Sequence, residues 1–253
     1  MGRRVVALAT EDNSFDLVAA IDHAKNPLLG QDAGAVAGLP PVGVVLSAQW
    51  PADCDVVVDF SLPAAVDGCV AKCVANKTPL VVATTGLSDS QKSALSVAAA
   101  EIPIVWAPSM SMAVNLTMKL TQQITETLKD VAGGIDVEIL ERHHRFKADA
   151  PSGTALKFGE LIAEKMDGEV THMHGRQGET GQRTRREIGY HAIRVGDNPG
   201  EHTIVFGMLG ERIELNVAAS NRDCYASGAL AAAKWLKTKP VGMYNMFDVL
   251  GLS

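Results

Sequence analysis

Four short, almost unbroken apolar runs most narrow what this chain can fold into. They are FDLVAAID (15–22), CDVVVDFS (54–61), PLVVATTG (79–86) and IPIVWAPS (102–109), each ending in polar or small residues. A run without polar alternation suits a strand buried on both faces, as in a parallel sheet covered by helices. Helical stretches separate the runs. LPAAVDGCVAKCVANK places Val66, Val70, Cys73 and Val74 at helical spacing with Pro63 near the start, and SDSQKSALSVAAAE opens on Ser88 as an N-cap. The alternation predicts an α/β fold with a Rossmann-like doubly wound parallel sheet.

Past residue 111 the pattern changes. MAVNLTMKLTQQITETLKDV reads as a long helix with an apolar stripe of Val114, Met118, Leu120, Ile124 and Leu128. IDVEILERHH, RREIGYHAIRV, EHTIVFGML and RIELNVAAS alternate apolar and polar residues, as half-exposed antiparallel strands do, with the helix SGTALKFGELIAEKM among them. This half is predicted as an α+β domain with an open mixed sheet. An open sheet one helix layer thick invites pairing with another copy, so a homo-oligomer is expected. YASGALAAAKWLKTK is read as a helix returning to the first domain. The expected division is 1–112 with 223–253, and 113–222.

Bulk composition removes several classes. The formal charge of −6 argues against a general binder of nucleic acid or anionic membrane, both of which want a basic face. No apolar run reaches the roughly 18 residues of a membrane span, and Met1-Gly2-Arg3-Arg4 does not lead into a signal peptide. Cys54, Cys69, Cys73 and Cys224 form no CxxC pair and read as reduced, packed thiols. The expected address is the cytoplasm.

The chemistry concentrates in ERHHRFKADAPSGTA (141–155). Alternation would send His143 and His144 to opposite sides, so the strand is expected to break there. Pro151-Ser152-Gly153-Thr154 then opens a helix whose freed first-turn N–H groups, with Gly153 allowing close approach, form a carboxylate or phosphate site. His144 and Lys147 add donors and charge, and His143 and Lys147 could move a proton at neutral pH. Elsewhere, VVATTGLS ends a buried strand where doubly wound folds bind ligands, and Asp22 ends another where an acid can accept ribose hydroxyls. RQGETGQRTRRE (176–187) reads as a mobile, solvated basic loop. His172 and His174 lack a ligand set, so no metal is expected.

With these residues in view, the chain resembles the 4-hydroxy-tetrahydrodipicolinate (dihydrodipicolinate) reductase family. That family's signature E-x-H-H-x-x-K-x-D-A-P-S-G-T-A is matched from Glu141 to Ala155, and LLGQDAG, DFSLPAA, AVNLTMKL, GEHTIVFGMLGERIEL and ASGALAAAKWL add support along the chain. The resemblance implies an NAD(P)H-dependent oxidoreductase of lysine and diaminopimelate synthesis acting on a small cyclic dicarboxylate. It implies that 1–112 with 223–253 binds the dinucleotide, and that 113–222 binds substrate and builds a homotetramer. It makes His143 the proton donor and acceptor and Lys147 the proton donor. His144 would bind substrate, and Ser152, Gly153 and Thr154 would hold a carboxylate. The cofactor would meet Met1, Gly2 and Arg3, then Asp22 and His23, then Ala83, Thr84 and Thr85, then Ala107, Pro108, Ser109 and Met110. Asp22 favours NADH over NADPH, with Arg3, Arg4 or Lys25 able to compensate.

Three departures stand out. Ala83 replaces the family's first glycine of G-T-T-G, and Ser109 replaces its usual asparagine. The family's opening strand and G-x-x-G-R-M-G-R loop are matched only by Met1-Gly2-Arg3-Arg4, so RRVVALAT is expected to be the first helix and its neighbouring strands to have unpaired edges. A start assigned at an internal methionine would account for this. The rival reading is a truly shortened protein with weakened cofactor binding, and the alternative function is a catalytically silent homologue that serves as an oligomeric binding or scaffold protein.

Overall fold

The computed structural model describes all residues, Met1–Ser253. The chain forms two compact units, Met1–Met112 with Arg222–Ser253, and Ala113–Asn221.

The first unit opens on a helix, α1 (Gly2–Glu11), as expected of RRVVALAT. Next come β1 (Ala20–Ile21), α2 (Ala33–Ala37), β2 (Leu46–Ser47), β3 (Val57–Asp59), α3 (Pro63–Asn76), β4 (Leu80–Val82), α4 (Asp89–Ala98) and β5 (Pro103–Trp106). The C-terminal segment adds α7 (Asp223–Leu236), β11 (Gly242–Tyr244) and α8 (Met246–Val249). Proline at the first position and Lys77 in the left-handed region bound α3, while Ser88 and Gln91 close a capping box on α4. The runs 54–61, 79–86 and 102–109 each contain a short strand, but FDLVAAID (15–22) forms strand only at Ala20–Ile21 and none of its residues is buried, so the expectation of a strand covered on both faces fails there.

All ladders here are parallel, in the order β11-β5-β4-β3, with β1 and β2 paired in a separate sheet. No ladder joins β1 to β3, and each has a partner on one side alone. Successive residues of β4 feed opposite layers. Leu80 and Val82 pack with Val66, Val70, Leu95 and Ile104, whereas Val81 packs with Val105, Ala229, Ala232 and Leu236. Helices therefore cover both faces, which is why these strands read as continuous apolar runs.

The small residues of α7 let it lie directly on the turn after β5. A Cβ on Gly228 would stand 1.7 Å from the Met110 carbonyl oxygen. Alanine is worth up to about 1 kcal/mol more than glycine in a helix, but here the backbone of 107–110 would have to move. Gly228→Ala is expected to lower stability by about 1–3 kcal/mol, read as a shift in denaturant midpoint. An unchanged midpoint would show that the turn yields freely.

The second unit contains α5 (Met112–Leu128), β6 (Asp136–His143), α6 (Gly153–Ala163), β7 (Thr171–His174), β8 (Glu187–Arg194), β9 (Glu201–Met208) and β10 (Glu211–Ala218). Its mixed sheet runs β10-β9-β6-β8-β7. β6, β9 and β10 pair antiparallel as alternation suggested, but β8 runs parallel to β6 and to β7. The α6 crossover between β6 and β8 returns the chain in the same direction. Val137 and Ile139 of β6 are buried with Phe158, Ile162, Ile188, Ile204 and Phe206, and α6 packs on β6.

Two expectations need correction. The buried stripe of α5 passes from Val114 and Met118 to Thr121 and Thr125, whose hydroxyls bond back to the helix, and Leu120 is exposed. The segment 176–187 is exposed along most of its length, as expected, but two of its arginines are tied to the sheet rather than to solvent alone. Arg176 bonds Glu138 (2.7 Å) and Glu187, while Arg183 bonds Asp136 (2.8 Å) and Glu138 (3.1 Å). Burial would raise the Glu138 pKa, yet Arg176, His191 and Arg183 hold it down to about 2.

Candidate active site

The buried face of β6 is apolar at Val137 and Ile139 but ends in Glu141 and His143. Residues two apart on a strand share a face, and the His143 Nδ1 lies 2.5 Å from Glu141 Oε2. A fully enclosed carboxylate needs partners, and Glu141 has them. Arg194, opposite His143 in the β6–β8 register, grips both oxygens at 2.8 Å, and the Ser152 N–H donates to Oε1 at 3.1 Å. Burial pushes the Glu141 pKa up, but Arg194 and His143 hold it below the ordinary value. For His143, burial lowers the pKa and prevails over the Glu141 carboxylate, so the ring is neutral near pH 7.

The strand ends at His143, as anticipated. His144 N–H then bonds the Asn198 carbonyl and Arg145 N–H that of Gly196, which fastens the turn to the β8–β9 connection. Lys147 N–H returns to the His144 carbonyl, and Lys147 Nζ lies 2.9 Å from Asp149 Oδ1. Arg194 also donates to the Asp149 carbonyl at 2.5 Å. His144 Nδ1 is buried without a hydrogen-bond partner.

Ser152 caps α6, its Oγ accepting from Ala155 N–H, and the same oxygen lies 3.0 Å from His202 Nε2. His202 sits opposite Glu141 on β9 and meets the His143 ring edge-on at 5.2 Å. Gly153, next in the turn, has no atom within 4 Å of where a Cβ would lie. Free first-turn N–H groups beside Lys147 and His144 suit a carboxylate. One hydrogen-bonded chain thus runs from Lys147 through Asp149, Arg194 and Glu141 to His143, Ser152 and His202. Of these, sequence reasoning gave no role to Glu141, Asp149, Arg194 or His202. Glu141 carried a local signal, its place two residues before His143; His202 carried none.

The residues expected to hold a dinucleotide lie in the first unit, mostly where its parallel strands end. Buried Thr84 donates to Asp59 Oδ2 at 2.9 Å, Ser61 N–H donates to Oδ1, and Ala83 N–H bonds the Asp59 carbonyl. Thr85 is exposed beside Gly86, which needs its positive φ of 74°. Ala107, Ser109 and Met110 are buried and Pro108 is exposed. Ser109 Oγ accepts from Ser111 N–H at 3.3 Å. Asp22 follows β1, its oxygens accepting from His23 N–H and the Asn26 amide at 2.7 Å each. Met1, Gly2 and Arg3 form the start of α1, and Arg4 is paired with Asp223 at 2.6 Å. Ala83 to Thr85, Ala107 to Met110 and Asp22 thus stand just past the carboxyl ends of β4, β5 and β1, the end at which doubly wound folds bind ligands. His172 and His174 instead stack on Tyr190. No helix is long and apolar enough to cross a membrane.

Two family models match the sequence, dihydrodipicolinate reductase N-terminus over residues 1–110 and dihydrodipicolinate reductase C-terminus over residues 113–250. The 4-hydroxy-tetrahydrodipicolinate reductase of Rhodopirellula baltica is 72% identical across 100% of this chain and 93% of its own. That of Alkalilimnicola ehrlichii is 43% identical across 100% and 95%. Among solved structures, dipicolinate-bound dihydrodipicolinate reductase from Paenisporosarcina sp. TG-14 shares the fold. It has a TM-score of 0.72 at 23% identity, over 98% of this chain and 94% of that one.

Proposed function

Because the chain belongs to the dihydrodipicolinate reductase family, we propose the residue roles by which it reduces 4-hydroxy-tetrahydrodipicolinate to tetrahydrodipicolinate in lysine biosynthesis. The conversion balances as one hydride and one proton taken up and the 4-hydroxyl lost as water. The nicotinamide cofactor, when bound, supplies the hydride. His143 gives and takes the proton at the substrate, and Lys147 is the proton donor. His144 binds substrate. Ser152, Gly153 and Thr154 receive a carboxylate at the start of α6. The observation that carries this reading is the hydrogen-bonded network that joins Lys147, by way of Asp149 and Arg194, to Glu141 and from there to His143 and Ser152.

Met1 to Arg3, Asp22, His23, Ala83 to Thr85 and Ala107 to Met110 hold the dinucleotide. NADH is favoured over NADPH, since Asp22 suits two ribose hydroxyls and repels a 2′-phosphate. Arg4 is committed to Asp223, which leaves Arg3 and Lys25 to answer a phosphate. The protein works as a cytoplasmic homotetramer, a state supported by the mixed sheet with its β10 edge and by exposed Leu116 and Leu120 on α5.

The test is loss of nicotinamide absorbance with purified protein, substrate being generated in place by the preceding synthase. Steady oxidation with a lower KM for NADH is expected. A folded chain that neither binds nor oxidises nicotinamide would favour the silent, scaffolding reading instead.

A further inference from the structure

We propose that Glu141 is the positioning residue of this site: it fixes His143 as the Nδ1–H tautomer, leaves Nε2 to exchange the proton, and anchors the carboxylate-binding turn through Ser152. The inference rests on the role given to His143 above. An ionised carboxylate is acceptor-only, so the 2.5 Å contact between Glu141 Oε2 and His143 Nδ1 requires the proton on Nδ1. Ionisation is secured by Arg194, which supplies both Nη groups at 2.8 Å.

Nε2 is then the basic nitrogen, and no protein group bonds it. The space beside it depends on Gly200, where a Cβ would come within 2.9 Å of Nε2. The same carboxylate accepts the Ser152 N–H at 3.1 Å, and His202 closes the loop by touching both Ser152 and the His143 ring. One buried group therefore sets the imidazole orientation and the place of the anion-binding turn. Second partners of this kind fix tautomer and ring orientation in other imidazole sites.

The test is ¹⁵N NMR of histidine-labelled protein at neutral pH, with Glu141→Gln and Glu141→Asp beside the wild type. The His143 signals should report Nδ1–H in the wild type and Nε2–H in Glu141→Gln, whose amide presents a donor to Nδ1. With that change, kcat should fall by about 100-fold or more and KM should move little, because the glutamine oxygen can still accept from Ser152. Glu141→Asp, which keeps the charge, should retain Nδ1–H and recover part of kcat. An Nε2–H wild type, or an unaltered tautomer in Glu141→Gln, would overturn the inference; the wild-type spectrum decides even if the glutamine variant fails to fold. His143→Ala separates the two claims. If it keeps normal turnover, the role of His143 fails, while the tautomer measurement still judges Glu141.

Discussion

Replacing Lys147 with alanine is expected to lower kcat by at least about 100-fold, the usual scale of a lost general acid, with little loss of stability. The side chain stands in the turn after β6 and pairs with Asp149, whose side chain is 59% exposed. The Lys147 side chain is itself 21% exposed, but a pair with one arm in solvent contributes little to folding, at most about 1 kcal/mol. The kinetic loss therefore cannot be charged to unfolding. It should appear in kcat with acid catalysis and also raise KM, since the cation beside the α6 N-terminus helps hold a dianionic substrate. Steady-state kinetics with a melting curve on the same sample would check both halves. Near-normal turnover in a folded Lys147→Ala would remove the proposed role.

That residue was legible because its chemistry is contiguous. The end of β6, the turn with Lys147 and the N-terminus of α6 are consecutive in sequence, and capping rules alone place Ser152 at the helix start. What escaped was whatever depends on strand register. Arg194 and His202 reach Glu141 from β8 and β9, and only the pairing of His143 with Arg194 and of Glu141 with His202 brings them in. The same blindness explains the segment 176–187. Its arginines read as solvated until Glu138 and Asp136, on a strand some 40 residues earlier, are seen beneath them. In the first unit, parallel strands announced themselves by unbroken apolar runs, whereas the Asp59–Thr84 bond at their ends joins two strands and left no local trace. The threonine stripe of α5 failed for another reason. Thr121 and Thr125 satisfy their hydroxyls within the helix and so can be buried like apolar residues.

Between pH 6.5 and 4 the protein should lose roughly 3 kcal/mol of stability through His202 alone. Burial, with neighbouring His143, pushes the pKa of this imidazole from 6.5 down to about 4. Above pH 6.5 the ring is neutral in both states and contributes no slope. From there down to about 4 the unfolded chain binds a proton that the folded one refuses, so stability falls; below about 4 both are protonated and the loss stops growing. Carboxylates do not imitate this upper window. Glu138 and Glu141 are both depressed below an ordinary 4.5, so their stabilisation is intact above that pH and is lost only as the pH drops further. His143 is also depressed and adds in the same direction, so some slope will persist without His202. Denaturant midpoints taken at neutral pH and just above 4.5, for wild type and His202→Gln, isolate the effect. The glutamine can still bond Ser152 but cannot titrate, so its curve should be the flatter. Parallel curves would mean that the ring between Ser152 and His143 accepts a proton freely in the fold, and that its burial constrains the site far less than its surroundings imply.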